Sequence, residues 1–175
     1  MNGNCHFING IAVTTLISLN IDNIAKLTNT PINDKPAIIT CLVLGGILGS
    51  IFPDIDNPKS NMGQLAKPVS TIIGAINKLT GRSDYDHRSI FHDIAFSVIG
   101  LILSLLFFPY ISGFFIGTLS HIFLDSFTPR GIPFIFGIGH FHIANIPSTS
   151  KRAIVVSYLF ATLLFTMTLA TKVYF

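Results

Sequence analysis

Histidine and aspartate side chains recur in this sequence at spacings that suit the binding of a metal ion. His121 and Asp125 are four residues apart in an apolar stretch, so on a helix they would share one face, one turn apart. Asp54 and Asp56 are separated by a single residue in a stiff segment between two prolines. Two carboxylates this close repel each other unless a positive group lies between them. Both pairs therefore indicate a cation site.

Further candidate ligands lie in two other parts of the chain. His87 precedes Arg88, and His92 follows five residues after His87, which suits one ligand in a loop and a second in the first turn of the next helix. Arg88 would more readily pair with a carboxylate or bind a substrate phosphate than bind metal. His6 lies beside Cys5 near the N-terminus, and a minor ligand role for this thiol stays open.

The composition predicts that lipid surrounds this chain. Half of its 175 residues are apolar, its mean hydropathy is +0.64, and only 11% of its residues are charged, against about 25% in an ordinary soluble domain. A water-exposed surface needs more charge than 11 basic and 8 acidic residues provide. The length suits one domain, and two cysteines do not make a disulfide framework. The first residues lack the positive segment of a secretory signal, so we expect the first apolar stretch to be retained.

Apolar stretches predict an all-α, polytopic membrane protein of about five helices, because crossing a bilayer takes about 20 residues. The stretches lie at residues 7–21, 37–53, 89–108, 111–127 and 153–171. Pro109 and Gly113 divide the uncharged segment 94–120, which is too long for one helix. Residues 132–147 are predicted to be partly re-entrant or interfacial. Residues 67–80 have apolar side chains at helical spacing and predict a short amphipathic interfacial helix.

Alternating helices would place the N-terminus, the loop 54–88 and the segment 128–152 on one side of the membrane. That side carries eight of the eleven Lys and Arg residues, which predicts that it faces the cytoplasm. The basic excess also suits anionic headgroups or a phosphate-bearing substrate. The same alternation delivers all seven candidate metal ligands to this side: His6, Asp54, Asp56, His87, His92, His121 and Asp125.

Imidazole and carboxylate ligands favour catalytic Zn²⁺, or Mn²⁺ or Fe²⁺, over a closed Cys-rich structural site. Seven ligands exceed what one tetrahedral ion needs and predict two ions bridged by Asp54 or Asp56. Such pairs activate water and stabilise the attacking and leaving oxygens of phosphoester hydrolysis. Arg88 or Arg130 would hold the substrate anion, and Asp93 would orient a ligand beside it.

Three segments in this order resemble the YdjM-type family of membrane-bound, metal-dependent hydrolases. They are FPDIDNPKS (52–60), HRSIFHD (87–93) and SHIFLDSFTPRGIPFIFG (120–137). The resemblance implies a bacterial inner-membrane protein with metal at Asp54, Asp56, His87, His92, His121 and Asp125. Asn57 stands where the family often has His, and Phe91-His92-Asp93 stands where it often has Thr-His-Ser. The arrangement is also distantly similar to zinc-dependent phospholipase C, which points to phosphodiesters and lipids.

We therefore expect a hydrolase of a phosphoester or lipid-linked substrate at the cytoplasmic face. Its expected partners are membrane lipid and a phospholipid or lipid-linked phosphate substrate, without nucleic acid. A divalent-metal or proton transporter would use the same ligands, and so would a structural or regulatory membrane protein with a bound ion. Each motif also has an ordinary structural interpretation: a hydrogen-bonded core His, a polar helix end or a solvated His-Arg loop. His140 and His142 lie outside the matching segments and are not assigned to the site.

Overall fold

Helices make up most of the chain in the computed structural model, which describes residues 3–23, 34–79, 90–135 and 139–174. The helices are α1 (Gly3–Leu19), α2 (Lys35–Ile51), α3 (Asn61–Leu65), α4 (Lys67–Leu79), α5 (Ile94–Phe107), α6 (Ser112–Asp125) and α7 (Lys151–Tyr174). Short 3-10 helices lie at Phe52–Asp56, Ile90–His92 and Pro109–Ile111. The predicted all-α class is confirmed.

Two helices in the described part of the chain are long and apolar enough to cross a membrane, against the five predicted. They are Lys35–Asp56, which is α2 with its 3-10 extension, and Lys151–Ala170 within α7. Helix α1 has 17 residues, and α5 and α6 have 14 each, which is shorter than the usual span of about 20. Helix α5 begins at Ile94 rather than near residue 89 because Asp93 caps it, and it ends before Pro109.

The segment expected to be re-entrant or interfacial contains two short strands that the sequence did not predict. Strand β1 (Ile132–Pro133) pairs antiparallel with β2 (His140–Phe141). Gly131 immediately precedes β1 and has a φ of 63°, a left-handed conformation that glycine adopts without strain. After β2 the chain lies beside the end of α6, where Ile143 N donates a hydrogen bond of 2.7 Å to Ser126 O.

Glycines let α1, α2 and α6 approach until their backbones touch. A Cβ atom at Gly117 of α6 would lie 2.2 Å from the carbonyl oxygen of Gly46 in α2. A Cβ atom at Gly10 of α1 would lie 2.4 Å from the Cβ of Ser50. Small residues allow this close packing in membrane helices. The contact fixes the relative position of the helix ends that carry the candidate ligands.

Polar side chains lie inside the bundle and large apolar ones outside it. Asn9 of α1 is fully buried and its Nδ2 donates to Ser157 Oγ of α7 at 2.6 Å. The outward sides of the helices carry exposed residues that include Phe7, Leu44, Leu48, Ile102, Leu103, Leu106, Leu159, Leu163 and Phe165. Contiguous apolar exposure of this extent is unfavourable in water and typical of a protein surrounded by lipid.

Gly117→Ala should destabilise the protein, because the added methyl group would meet a backbone carbonyl that cannot move without separating α2 from α6. We expect a loss of about 1–3 kcal/mol, which is the usual cost of overpacking. The measurement is the midpoint of thermal unfolding in detergent.

The matched control is Gly74→Ala in α4, where a Cβ atom would have nothing within 4 Å. This substitution should leave stability unchanged or raise it by up to about 1 kcal/mol through helix propensity. Equal unfolding midpoints for both variants would show that the two helices are not in backbone contact.

Candidate metal site

Five of the residues selected from the sequence meet at one end of the bundle. Each lies close to the end of a helix, so alternating helix directions bring them together. His6 comes from the beginning of α1, Asp54 from the 3-10 helix after α2, His92 from the 3-10 helix before α5, and His121 and Asp125 from the end of α6.

These residues form two groups that could hold a metal ion. One group is His6, His121 and Asp125, and the other is Asp54, His92 and His121; within each, one ligand atom per residue lies within 4.8 Å of the others. Asp125 Oδ1 lies 3.4 Å from His6 Nε2, and Asp125 Oδ2 lies 3.9 Å from His121 Nε2. Two ligand atoms bound to the same tetrahedral zinc ion lie about 3.3 Å apart. The observed separations are close to this value.

His121 is held in one orientation by the backbone of a neighbouring helix. Its Nδ1 lies 2.7 Å from the carbonyl oxygen of Ser50, which can only accept, so Nδ1 carries the hydrogen. The Nε2 atom then presents a lone pair, and it has no hydrogen-bond partner among the described residues. A metal-binding histidine is commonly fixed in this way, with the second ring nitrogen donating to a carbonyl or carboxylate.

His92 is held by a carboxylate instead. Its Nδ1 lies 3.1 Å from Asp56 Oδ2, and its Nε2 lies 4.0 Å from Asp125 Oδ2. Burial lowers the pKa of His92, but the hydrogen bond and charge of Asp56, with the charges of Asp125 and Asp54, outweigh it and raise the pKa above its ordinary value. Asp56, a predicted ligand, belongs to neither of the two groups and contacts His92.

The imidazole ring of His6 packs directly on that of His121. The rings of His6 and His121 are stacked with centroids 3.7 Å apart, and His92 meets His121 edge-on at 5.1 Å. All three side chains are almost fully buried. Neither ring nitrogen of His6 makes a well-aligned hydrogen bond within the described residues. Buried polar atoms without such partners are costly, and a bound cation would satisfy them.

The other residues selected from the sequence have different positions. Asp93 is buried, and its Oδ1 accepts a hydrogen bond of 2.8 Å from Ala95 N, so it caps α5. Cys5 is buried but belongs to neither ligand group, and His140 and His142 are exposed at and beside β2. His87 and Arg88 lie outside the described residues.

An open cavity of about 830 Å³ adjoins the ligand groups. Asp54 and Asp125 line it together with two cations, Lys59 and Arg130. The rest of the lining is mixed: it includes the apolar residues Phe7, Ile51, Met62 and Leu65 and the polar residues Asn4, Asn57, Ser60, Asn61, Thr128 and Ser148. Sequence reasoning selected Arg130 but counted Lys59 only for topology, although its position three residues after Asp56 was a usable signal.

Comparison with known proteins gives one family and several relatives. The profile of a family described as YdjM inner membrane protein matches residues 1–174. The inner membrane protein YdjM of Escherichia coli (strain K12) is 32% identical over 104 residues, which is 54% of this chain and 48% of that protein. The uncharacterized protein YvsG of Bacillus subtilis (strain 168) is 26% identical over 98 residues, which is 54% of this chain and 56% of that protein. The chain thus matches about half the length of each curated relative. No solved structure matches the chain.

Asp93→Ala should lower the stability of the protein by about 1 kcal/mol, the usual cost of losing a helix N-cap. Asp93→Asn should retain most of the stability, because an amide oxygen can accept the same hydrogen bond from Ala95 N. Thermal unfolding of both variants in detergent is the measurement. If Asn destabilises the protein as much as Ala does, the negative charge of Asp93 matters rather than the cap.

Proposed function

We propose that this chain, which belongs to the YdjM inner membrane protein family, is a membrane-bound, metal-dependent hydrolase of a phosphoester. The observation that carries the proposal is a group of three buried imidazoles and two carboxylates, one of them partly exposed, beside an open cavity. Nitrogen and oxygen ligands without a thiolate favour Zn²⁺, with Mn²⁺ or Fe²⁺ as the next choices.

The ligands we assign are His6, Asp54, His92, His121 and Asp125. His121 offers one free ring nitrogen and can bind one ion, so two ions need a different shared ligand. Asp125 has one oxygen near His6 and the other near His92 and His121. We therefore give Asp125 the bridging role that the sequence alone gave to Asp54 or Asp56, and we assign Asp56 to the orientation of His92. Divalent ions bound here would activate water near neutral pH and polarise the phosphoryl oxygens.

The substrate would reach the ligands through the cavity. The Asp54 side chain is 21% exposed, whereas His121 is fully buried, so access is from the side of Asp54. Lys59 and Arg130 line the same cavity and would bind the charge of a phosphate group. The apolar residues of the lining, which include Met62 and Leu65, would accept an acyl or prenyl chain. This combination favours a phospholipid or lipid-linked phosphate over a water-soluble phosphoester.

We also propose that α1, α5 and α6 complete a bundle of five membrane helices with α2 and α7. Their buried sides are polar and their outward sides apolar, as in the two longer helices. The basic excess in the sequence supports a position of the metal site on the cytoplasmic side. The ligands lie at helix ends, whereas a transporter would be expected to hold them near the middle of the membrane in broken helices. This position favours the hydrolase over a transporter.

Metal content should depend on His121 and not on exposed histidines. We expect the purified protein to retain Zn²⁺ after dialysis and His121→Ala to lose at least about tenfold in metal affinity, because a ligand is removed. The control is His142→Ala, which changes an exposed histidine outside the ligand groups. Elemental analysis measures the metal, and thermal unfolding shows whether each variant is folded. Equal metal content in the two variants would contradict the ligand assignment.

Hydrolysis should require the proposed bridging carboxylate. The full chain is reconstituted in vesicles and supplied with phosphodiester and phosphomonoester lipids in the presence of Zn²⁺ or Mn²⁺. We expect metal-dependent release of the headgroup or phosphate, and a loss of at least about a hundredfold in Asp125→Asn. His142→Ala should retain the activity of the unmodified chain. A protein that binds metal normally but cleaves neither lipid class would contradict the proposed function.

A further inference from the structure

Helix α4 has two exposed sides of opposite polarity. Val69, Ile72, Ile76 and Leu79 recur every three or four residues and are 46%, 60%, 53% and 88% exposed. The opposite side carries exposed Lys67 and Thr71. Ser70 lies between the two sides and is fully buried. An amphipathic helix that is exposed on both sides is stable at the boundary between lipid and water, where each side meets a solvent of its own polarity.

The packing of α4 places it at the depth of that boundary. It contacts the 3-10 helix Phe52–Asp56, which ends the apolar segment Lys35–Asp56. This segment has 22 residues and is about 33 Å long at 1.5 Å per residue. That length matches a hydrocarbon layer of about 30 Å, so its last residues reach the membrane surface. Helix α4 packs against those residues and therefore lies at the same level.

Charge indicates which lipids the helix meets. Residues 57–79 contain three basic residues (Lys59, Lys67 and Lys78) and no acidic residue. Lys59 and Lys67 are exposed. Basic residues beside an amphipathic helix strengthen its attachment to anionic lipid. The segment is therefore complementary to an anionic leaflet.

We propose that α4 inserts its apolar side into an anionic lipid leaflet and holds the mouth of the cavity at the level of the lipid headgroups. Leu65 connects the two features, because it precedes α4, is 82% exposed and lines the cavity. A lipid headgroup beside α4 then reaches Lys59 and Asp54 without leaving the membrane. The position of the helix does not depend on the hydrolase activity, so the two proposals can fail separately.

The chain has no tryptophan, so a single introduced tryptophan reports only its own surroundings. Ile76→Trp places it on the apolar side of α4, and Thr71→Trp is the control on the polar side. Leu79→Trp repeats the apolar position at a second exposed site, and Leu103→Trp on α5 gives a reference for lipid contact. Each full-length variant is reconstituted in vesicles of phosphatidylglycerol and phosphatidylcholine. Fluorescence is quenched from the lipid by brominated acyl chains and from water by acrylamide.

We expect brominated lipid to quench Ile76→Trp and Leu79→Trp at least about threefold more strongly than Thr71→Trp, and acrylamide to show the reverse order. Equal quenching of all three by acrylamide would overturn the proposal. Protection of the apolar positions from both quenchers would also overturn it, because protein, such as a second copy of the chain, would then cover the helix.

A second comparison tests the choice of lipid. In vesicles of phosphatidylcholine alone, acrylamide should quench Ile76→Trp at least about twofold more than in the mixed vesicles, because the attraction of the basic residues is lost. Lys67→Gln in the Ile76→Trp background should reduce this difference between the two vesicle types. An identical response in both lipids would overturn the assignment to an anionic leaflet.

Discussion

The backbone contact between α2 and α6 is the constraint on which the candidate site depends. His121 reaches the carbonyl oxygen of Ser50, 2.7 Å away, because Gly46 and Gly117 leave no side chain between the two helices. That bond fixes the ring and its tautomer, and the ring in turn supports stacked His6 and the facing carboxylates. A wider helix separation would remove the acceptor from His121 and leave His121 and the stacked ring of His6 without a fixed orientation.

The composition of the group explains why a cation bound there would be stabilised. His6 and His121 are stacked at 3.7 Å, and two protonated rings at that distance would repel each other strongly in a buried site. Neutral rings avoid the repulsion but leave ring nitrogens of His6 and His121 without hydrogen-bond partners in the part of the chain that the structure describes, while Asp125 adds a buried negative charge. A bound divalent cation would accept the lone pairs of these nitrogens and would also balance the negative charge of the carboxylates.

The sequence predicted the positions of the longer helices and most of the meeting point, but not the contacts within it. Alternating apolar stretches were enough to bring His6, Asp54 and His121 to one end, because each lies near the end of a helix. Asp56 and His92 are 36 residues apart in the sequence. Their contact depends on how two 3-10 helices pack together, and no local sequence pattern encodes that packing. The ligand role of His87 stays a prediction, since it lies outside the described residues. The short strands were missed because a two-residue ladder depends on a glycine turn rather than on hydrophobic periodicity.

The position of the group near helix ends allows titratable side chains to be accommodated in a protein that lipid surrounds. At the middle of a bilayer, five titratable side chains would have no route to water and would be very costly to bury. At the end of the bundle, the same side chains are enclosed by protein while Asp54 opens to a cavity. The side chains are thus dry enough to interact strongly with an ion, and under the proposed function the open side would admit both water and the headgroup of a lipid. A site at this depth suits chemistry on a molecule that stays in the membrane, because only its polar part has to enter the cavity.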